Sequence, residues 1–277
     1  MAISSRTPAA GLAWSLIEPI VSPAAHGRLL LRLAKRDLET RYRGSVFGAL
    51  WVVIQPLIML AVFTFVFSTV FPSRWGSGTG NFALLLYAGL LVYGLFADVV
   101  VRSATLFLEN ASYVKKVVFP LEILPWVSAL VTAVNALVGA ALLAVCYMAF
   151  IGVPPATALL APVVIAPLVV LSVGLSFILA SLGVFIRDLR QIVPVVSQAL
   201  MFFGPVLYPA SALPEWVRGW LFLNPVTLII EELRAVLFDG RPPDWPALGL
   251  YTLVALLILF LGYALFRRLR PAFADVM

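Results

Sequence analysis

The chain has 277 residues, of which 62% are hydrophobic and 12% charged, with a mean hydropathy of +1.05; soluble domains carry about twice that charged fraction, so the composition excludes a water-soluble globular protein. Apolar stretches of helical length also exclude an outer-membrane barrel, whose strands run to about ten residues and alternate in polarity. A net charge of +6 in such a chain reflects the lysine and arginine bias of cytoplasmic loops and contacts with membrane lipids, not nucleic-acid binding.

Residues 1–49 read as a cytoplasmic N-terminal region. Residues 1–25 lack a continuous apolar core followed by a small-residue cleavage site, so no cleavable signal is expected. From about His26 to Tyr42 the pattern is amphipathic: Arg28, Arg32, Lys35 and Glu39 recur three or four residues apart, while Leu29, Leu30, Leu33 and Leu38 spread over the opposite side. This predicts an interface helix lying on the membrane surface. The stretch "RDLETRYRGSVFGALWVVIQP", 36–56, then passes directly into apolar sequence, and Gly44 and Gly48 permit the chain to turn there.

Apolar runs of about 20 residues predict an all-α polytopic membrane protein with six transmembrane helices over 50–266, followed by a tail at 267–277. The spans run from Leu50 to Phe71, Phe82 to Val101, Val127 to Ile151, Leu159 to Phe185, Ile192 to Pro209 and Ala247 to Phe266. With both termini cytoplasmic, fifteen of the nineteen Lys and Arg residues fall inside and only Arg74, Arg218, Arg234 and Arg241 outside, which sets that orientation.

The segment 102–126 is too polar to cross lipid at Arg102, Glu109, Asn110, Lys115 and Lys116, and too apolar at Val117, Val118, Phe119 and Ile123 to float free. It is expected to pack at the cytoplasmic side, with Pro120 and Pro125 ending one helix and starting the next. Spans four and five are joined only by "IRDLRQ", which requires a tight turn. The external segment 210–246 reads as two short amphipathic re-entrant or gate helices broken at Asn224-Pro225 and stopped at Gly240. Pro205, Pro209 and Pro214 surround its start, and Trp216, Trp220 and Trp245 suit the interfacial belt.

Catalytic and coupling chemistry is sparse. One cysteine, Cys146, and one histidine, His26, supply neither a disulfide framework nor a metal site. The three lysines lie outside any G-x-x-x-x-G-K-[ST] phosphate loop, so no ATP site of that kind is expected. The middles of the spans carry only neutral polar residues, notably Gln55, Asn135 and Gln198, where ion coupling calls for ionisable groups. Asp98 is the one carboxylate within a predicted span, and its spacing from Arg102 predicts an i,i+4 pair. Energy is therefore expected from a partner subunit.

Three ordered blocks, "RDLETRYRGSVFGALWVVIQPLIMLAVFTFVFSTVF", "LENASYVKKVVFPLEILPW" and "NPVTLIIEELRAVLFDG", resemble the membrane subunit of ABC-2 type polysaccharide exporters, the O-antigen, capsule and teichoic acid permeases, over about residues 26–268. The resemblance implies a homodimer in the bacterial inner membrane with two cytoplasmic ABC ATPase subunits, which hold the ATP and magnesium. It implies export of an undecaprenyl-diphosphate-linked polysaccharide and no catalytic, cofactor or metal site in this chain. It also implies ATPase coupling through Arg36, Asp37, Arg41, Tyr42 and Arg43 on the surface helix. In the loop the coupling set is Glu109, Asn110, Lys115, Lys116, Phe119, Pro120 and Glu122.

Arg41 and Arg43 also suit a diphosphate entering from the inner leaflet, because guanidinium donors match phosphate oxygens. A glycan path needs aromatic faces and scattered polar partners. The candidates are Trp51, Gln55, Phe63 and Phe67 on span one, Tyr87 and Tyr93 on span two, and Gln198, Phe202, Phe203 and Tyr208 on span five; the resemblance favours spans one and five. The alternatives are an ABC-2 permease for a drug or another lipid, against which the first block argues, and an ion-coupled flippase, against which the empty midplane argues. A membrane-embedded enzyme would need facing acids, and the adjacent Glu231 and Glu232 do not face each other on a helix.

Overall fold

A computed structural model describes residues 18–42, 47–66, 79–114, 119–208, 219–221 and 223–276, and these are helical with no strand among them. The elements are α1 (18–25), α2 (Gly27–Tyr42), α3 (Trp51–Phe65), α4 (Thr79–Ser103), the short α5 (Leu106–Glu109) and α6 (Ala111–Val114), and α7 (Leu124–Phe150). They continue with α8 (Ala161–Gly183), α9 (Leu189–Phe203), α10 (Thr227–Arg234), α11 (Trp245–Leu269) and α12 (Phe273–Val276).

Among the described residues four segments are long and apolar enough to cross a membrane: Phe82–Ser103, Leu121–Phe150, Ala156–Gly183 and Trp245–Ala272. Helices α3 and α9 have 15 residues each, which at about 1.5 Å per residue is short of the ~30 Å apolar layer. The last part of the first expected span, 67–71, lies outside the described residues. For the fifth the difference is physical: Gly204 leaves helical geometry with ψ at 164°, and Pro205 cannot continue the ladder, so α9 stops six residues before Pro209.

Helices α4 and α8 form the centre, and α11 packs along α8 while α7 packs along α4. Without a hydrophobic drive between helices in lipid, close backbone approach holds such a bundle together. Glycines supply it. A methyl on Gly174 of α8 would lie 2.7 Å from the Leu259 nitrogen and 2.8 Å from its Cα on α11, and one on Gly262 would meet the Gly174 carbonyl. Around these contacts Phe107, Phe177, Phe266 and Phe273 are fully buried, with Phe107 and Phe273 centroids 5.3 Å apart.

Proline and glycine punctuate the chain, Pro125, Gly48 and Gly240 where the sequence predicts and Pro246 in addition. Pro125 occupies the first turn of α7 and Pro246 that of α11, where Asp244 caps by accepting from the Ala247 N–H at 3.2 Å. Gly48, at φ 48°, lets the chain enter α3, and Gly240, at φ 65°, ends the helical run that begins at Thr227.

Candidate functional site

Charged side chains gather at the end of the bundle where α2, the C-terminus of α4, the α5–α6 loop and the C-terminus of α11 meet. The amphipathic pattern of α2 is realised. Arg28, Arg32, Lys35 and Glu39 are exposed, while Leu30, Leu33 and Leu38 pack with Ala34 against Val127 and Val131 of α7. The helix thus has a protein partner beneath it.

The Asp98–Arg102 pair expected from spacing is replaced by two cross-helix pairs. Arg102 donates through both guanidinium nitrogens to Asp37, at 3.0 and 3.1 Å, and Asp98 meets Arg41 at 3.7 Å. Arg41 also lies 3.9 Å from Asp37. A planar guanidinium matches a carboxylate best two bonds at a time, and α2 crosses α4 where that match is available, so the long-range pairs win over a within-helix contact.

Arg36 donates to the Tyr113 hydroxyl and sits 5.4 Å from that ring's centroid. Tyr113 in turn stacks on Phe119, centroids 4.4 Å apart and planes 7° from parallel. Arg270, just past α11, closes the group: it pairs with Glu122 at 3.3 Å and donates to the Phe119 carbonyl at 3.3 Å. Between α2, the end of α4, the α5–α6 loop and the start of α7 lies a cavity of about 50 Å³ that Asp37, Arg102, Asn110, Tyr113 and Ser128 help to line.

Six of the expected coupling residues are therefore brought together: Arg36, Asp37, Arg41, Asn110, Phe119 and Glu122. Glu109 is exposed and accepts from the Thr105 hydroxyl at 2.6 Å, and Pro120 starts the turn that leads into α7. Tyr42 ends α2, but its side chain, like Arg43, Lys115 and Lys116, lies outside the described residues. Sequence reasoning missed Arg102 and Arg270 as members of this group; each is a basic residue at the C-terminal end of a long apolar helix, which is the signal that could have found them.

The glycan-path candidates divide. Trp51, Gln55, Gln198, Phe202 and Phe203 are exposed on α3 and α9, Phe203 at 71%. Phe67 and the Phe63 side chain lie outside the described residues. Tyr87 is turned inward instead, only 3% exposed, with its hydroxyl toward the Gly139 carbonyl at 3.3 Å. Tyr93 is partly buried and bonds Ser197 of α9, at 2.9 Å to the carbonyl. The Tyr208 hydroxyl folds back onto the Phe202 carbonyl. Tyr87 and Tyr93 tie elements together by their hydroxyls, while Tyr208 closes the turn that follows α9.

At the opposite end, the broken terminus of α9 leaves carbonyls without helical partners, and the segment around α10 satisfies them. The Asn224 amide donates to the Leu200 carbonyl at 2.7 Å. Arg234, 6% exposed, donates to the carbonyls of Pro205 at 2.7 Å and Val206 at 3.2 Å, and to Leu85 of α4 at 3.2 Å. Glu231 lies 3.5 Å from the same guanidinium, an ionic contact without hydrogen-bond geometry. Burial raises the Glu231 carboxyl above the ordinary range, with Arg234 opposing. Burial likewise lowers Arg234 to about 10, so it stays charged at neutral pH. No group of three or more metal-ligating side chains occurs among the described residues.

An apolar helical bundle with four helices among the described residues long enough to cross a membrane, a charged helix clamped at one end and short helices capping the other, defines a membrane-spanning protein. The chain belongs to the ABC-2 type transporter family, which it matches over residues 28–238. It is similar to the O-antigen export system permease protein RfbA of Myxococcus xanthus, 30% identical over 249 residues, covering 89% of this chain and 94% of that protein. It is also similar to the protein of the same name from Klebsiella pneumoniae, 26% identical over 251 residues and covering 90% and 95%. A third relative is the polysialic acid transport protein KpsM of Escherichia coli, 23% identical over 237 residues and covering 84% and 90%.

Proposed function

We propose that this chain is the channel-forming subunit of an ABC exporter that moves polysaccharide, such as O-antigen, linked to undecaprenyl diphosphate, across the bacterial inner membrane. The observation that carries this reading is near full-length similarity to permeases named for O-antigen export. On this reading α3, α4, α7, α8, α9 and α11 are the six spans, both termini are cytoplasmic and the α10 segment faces outward. Two copies of the chain assemble with two ATPase subunits, which bind ATP and magnesium.

The charged end supplies the coupling surface. Arg36 is joined through Tyr113 to Phe119, and Arg270 to Phe119 and Glu122, while Asp37 and Arg41 hold Arg102 and Asp98 of α4 and Asn110 lines the cavity beside them, so a push on the loop reaches α2 and α4 together. Tyr42, Arg43, Lys115 and Lys116 extend the same surface, with Glu109 and Pro120 at its rim. Arg41 and Arg43 meet the diphosphate as it arrives. The exposed Trp51, Gln55, Gln198, Phe202 and Phe203, together with Phe63 and Phe67, line the glycan path between α3 and α9.

The test is reconstitution with the co-expressed ATPase. A two-plus-two complex that moves a lipid-linked glycan only with ATP, and whose coupling is lost when Lys115, Lys116 and Phe119 are replaced together, supports the reading. Failure to retain any ATPase overturns it.

A further inference from the structure

The cap at the end opposite the charged group turns on one buried cation. Arg234 ends α10, and the widened helical turn Ala235–Asp239 follows directly; such turns with i→i+5 bonding can shift the helix register by a residue. Its guanidinium reaches main-chain carbonyls on two other elements: Leu85 on α4, and Pro205 and Val206 just beyond α9. These bonds need no particular side chain on the receiving elements, but they need room. Gly89 provides it, because a methyl there would lie 2.8 Å from Arg234 Nη2 and 3.0 Å from the Val206 carbonyl. One side chain therefore holds the end of α9 to α4 and to α10.

A buried guanidinium is stable only while its donors are occupied. Dry carbonyls satisfy it in the closed arrangement. Water and sugar hydroxyls can satisfy both it and the same carbonyls once the path alongside α9 is wet, since carbonyl acceptors and guanidinium donors are equally well served by hydroxyl groups.

Resting on the exporter reading, we propose that Arg234 is the latch of the pathway: a positioning residue that keeps the outer end of α9 closed against α4 and lets go when a hydrated, hydroxyl-rich polymer arrives. The latch thereby makes opening depend on the polarity of the cargo, without a residue that recognises one particular sugar.

The experiment uses proteoliposomes of the whole complex, loaded with carboxyfluorescein and given neither ATP nor glycan. Arg234→Met and Gly89→Ser, the second of which keeps the charge and fills its slot, are each expected to raise dye efflux about tenfold over wild type, the effect of about 1.4 kcal/mol on a closed–open equilibrium. Asp244→Ala, which weakens the neighbouring cap of α11 without touching the guanidinium, is expected to leave efflux unchanged, and this separates a latch from general loosening. Assembled variants that stay as tight as wild type overturn the proposal. If Arg234→Met does not assemble, Gly89→Ser and Arg234→Lys decide on the same readout, and failure of all three to assemble assigns Arg234 to folding and overturns the latch. The exporter reading fails separately, through absence of ATP-dependent glycan movement in the wild type, whatever the efflux result.

Discussion

Arg102 and Asp37, 65 residues apart in the chain, meet through two parallel N–H to oxygen bonds of 3.0 and 3.1 Å. The pair fastens α2 to the end of α4, and both side chains are a little over a quarter exposed. Partial screening by water places its worth at about 1–3 kcal/mol, below that of a fully buried pair.

Replacing Asp37 with Ala should therefore lower the thermal stability of the purified chain and release α2, seen as faster protease cleavage near residue 43. Arg102→Ala should do the same. The double exchange Asp37→Arg with Arg102→Asp should recover part of the loss, and a double variant no better than the sum of the singles would show that the two residues act independently.

Tyr113 has two separable contacts, its hydroxyl to Arg36 and its ring to Arg36 and Phe119. Tyr113→Phe keeps the stack and should cost about 1 kcal/mol or less. Tyr113→Ala removes everything and should cost clearly more, because aromatic pairs and cation–π contacts each contribute about 0.5–1 kcal/mol beyond area. Equal losses in the two variants, by thermal unfolding in detergent, would mean the ring contributes nothing.

Gly174 permits α8 and α11 to touch backbone to backbone, whereas a methyl on Gly94 of α4 would meet nothing within 4 Å. Gly174→Ala should cost about 1–3 kcal/mol through forced separation of the helices; Gly94→Ala should be neutral or slightly stabilising. The two variants, compared by melting temperature, differ only in position, so similar melting temperatures would contradict the packing described.

Glu231 gives the cap a pH dependence of known sign. Burial raises its folded-state carboxyl above the ordinary value, so folding favours the protonated form. That contribution is complete below the unfolded value of about 4.3 and is lost as pH rises through the higher folded value. The melting temperature of the wild type minus that of Glu231→Gln should therefore become more positive as pH falls from neutral towards that range. A difference that stays constant over the same interval would show that Glu231 is not desolvated.

The parts of the fold that were legible in the sequence are those set by local rules. The period of Arg28, Arg32, Lys35 and Glu39 placed α2, and Pro125, the Asn224-Pro225 break and Gly240 placed helix ends. What hydropathy could not carry is which distant groups meet. Asp98 and Arg102 have the spacing of a helical pair yet choose Arg41 and Asp37, because the crossing of α2 over α4 offers better geometry than their own helix. Tyr87 reads as a path-lining aromatic and is buried against α7. Arg234 counts in the sequence only as one of four basic residues outside. The one hint of its role is a cation between Leu233 and Ala235, three residues after Glu231, the spacing of a helical ion pair.

The salt links of Arg267 to Glu18 and of Arg270 to Glu122 bear on how the protein is made. Residues 267 and 270 emerge from the ribosome after their partners Glu18 and Glu122, 249 residues later than Glu18 in the first case. The surface is therefore finished only when the last long helix has been delivered to the membrane. A nascent or truncated chain presents α2 and the α5–α6 loop without these braces, so the order of synthesis sets the order in which the charged cluster closes.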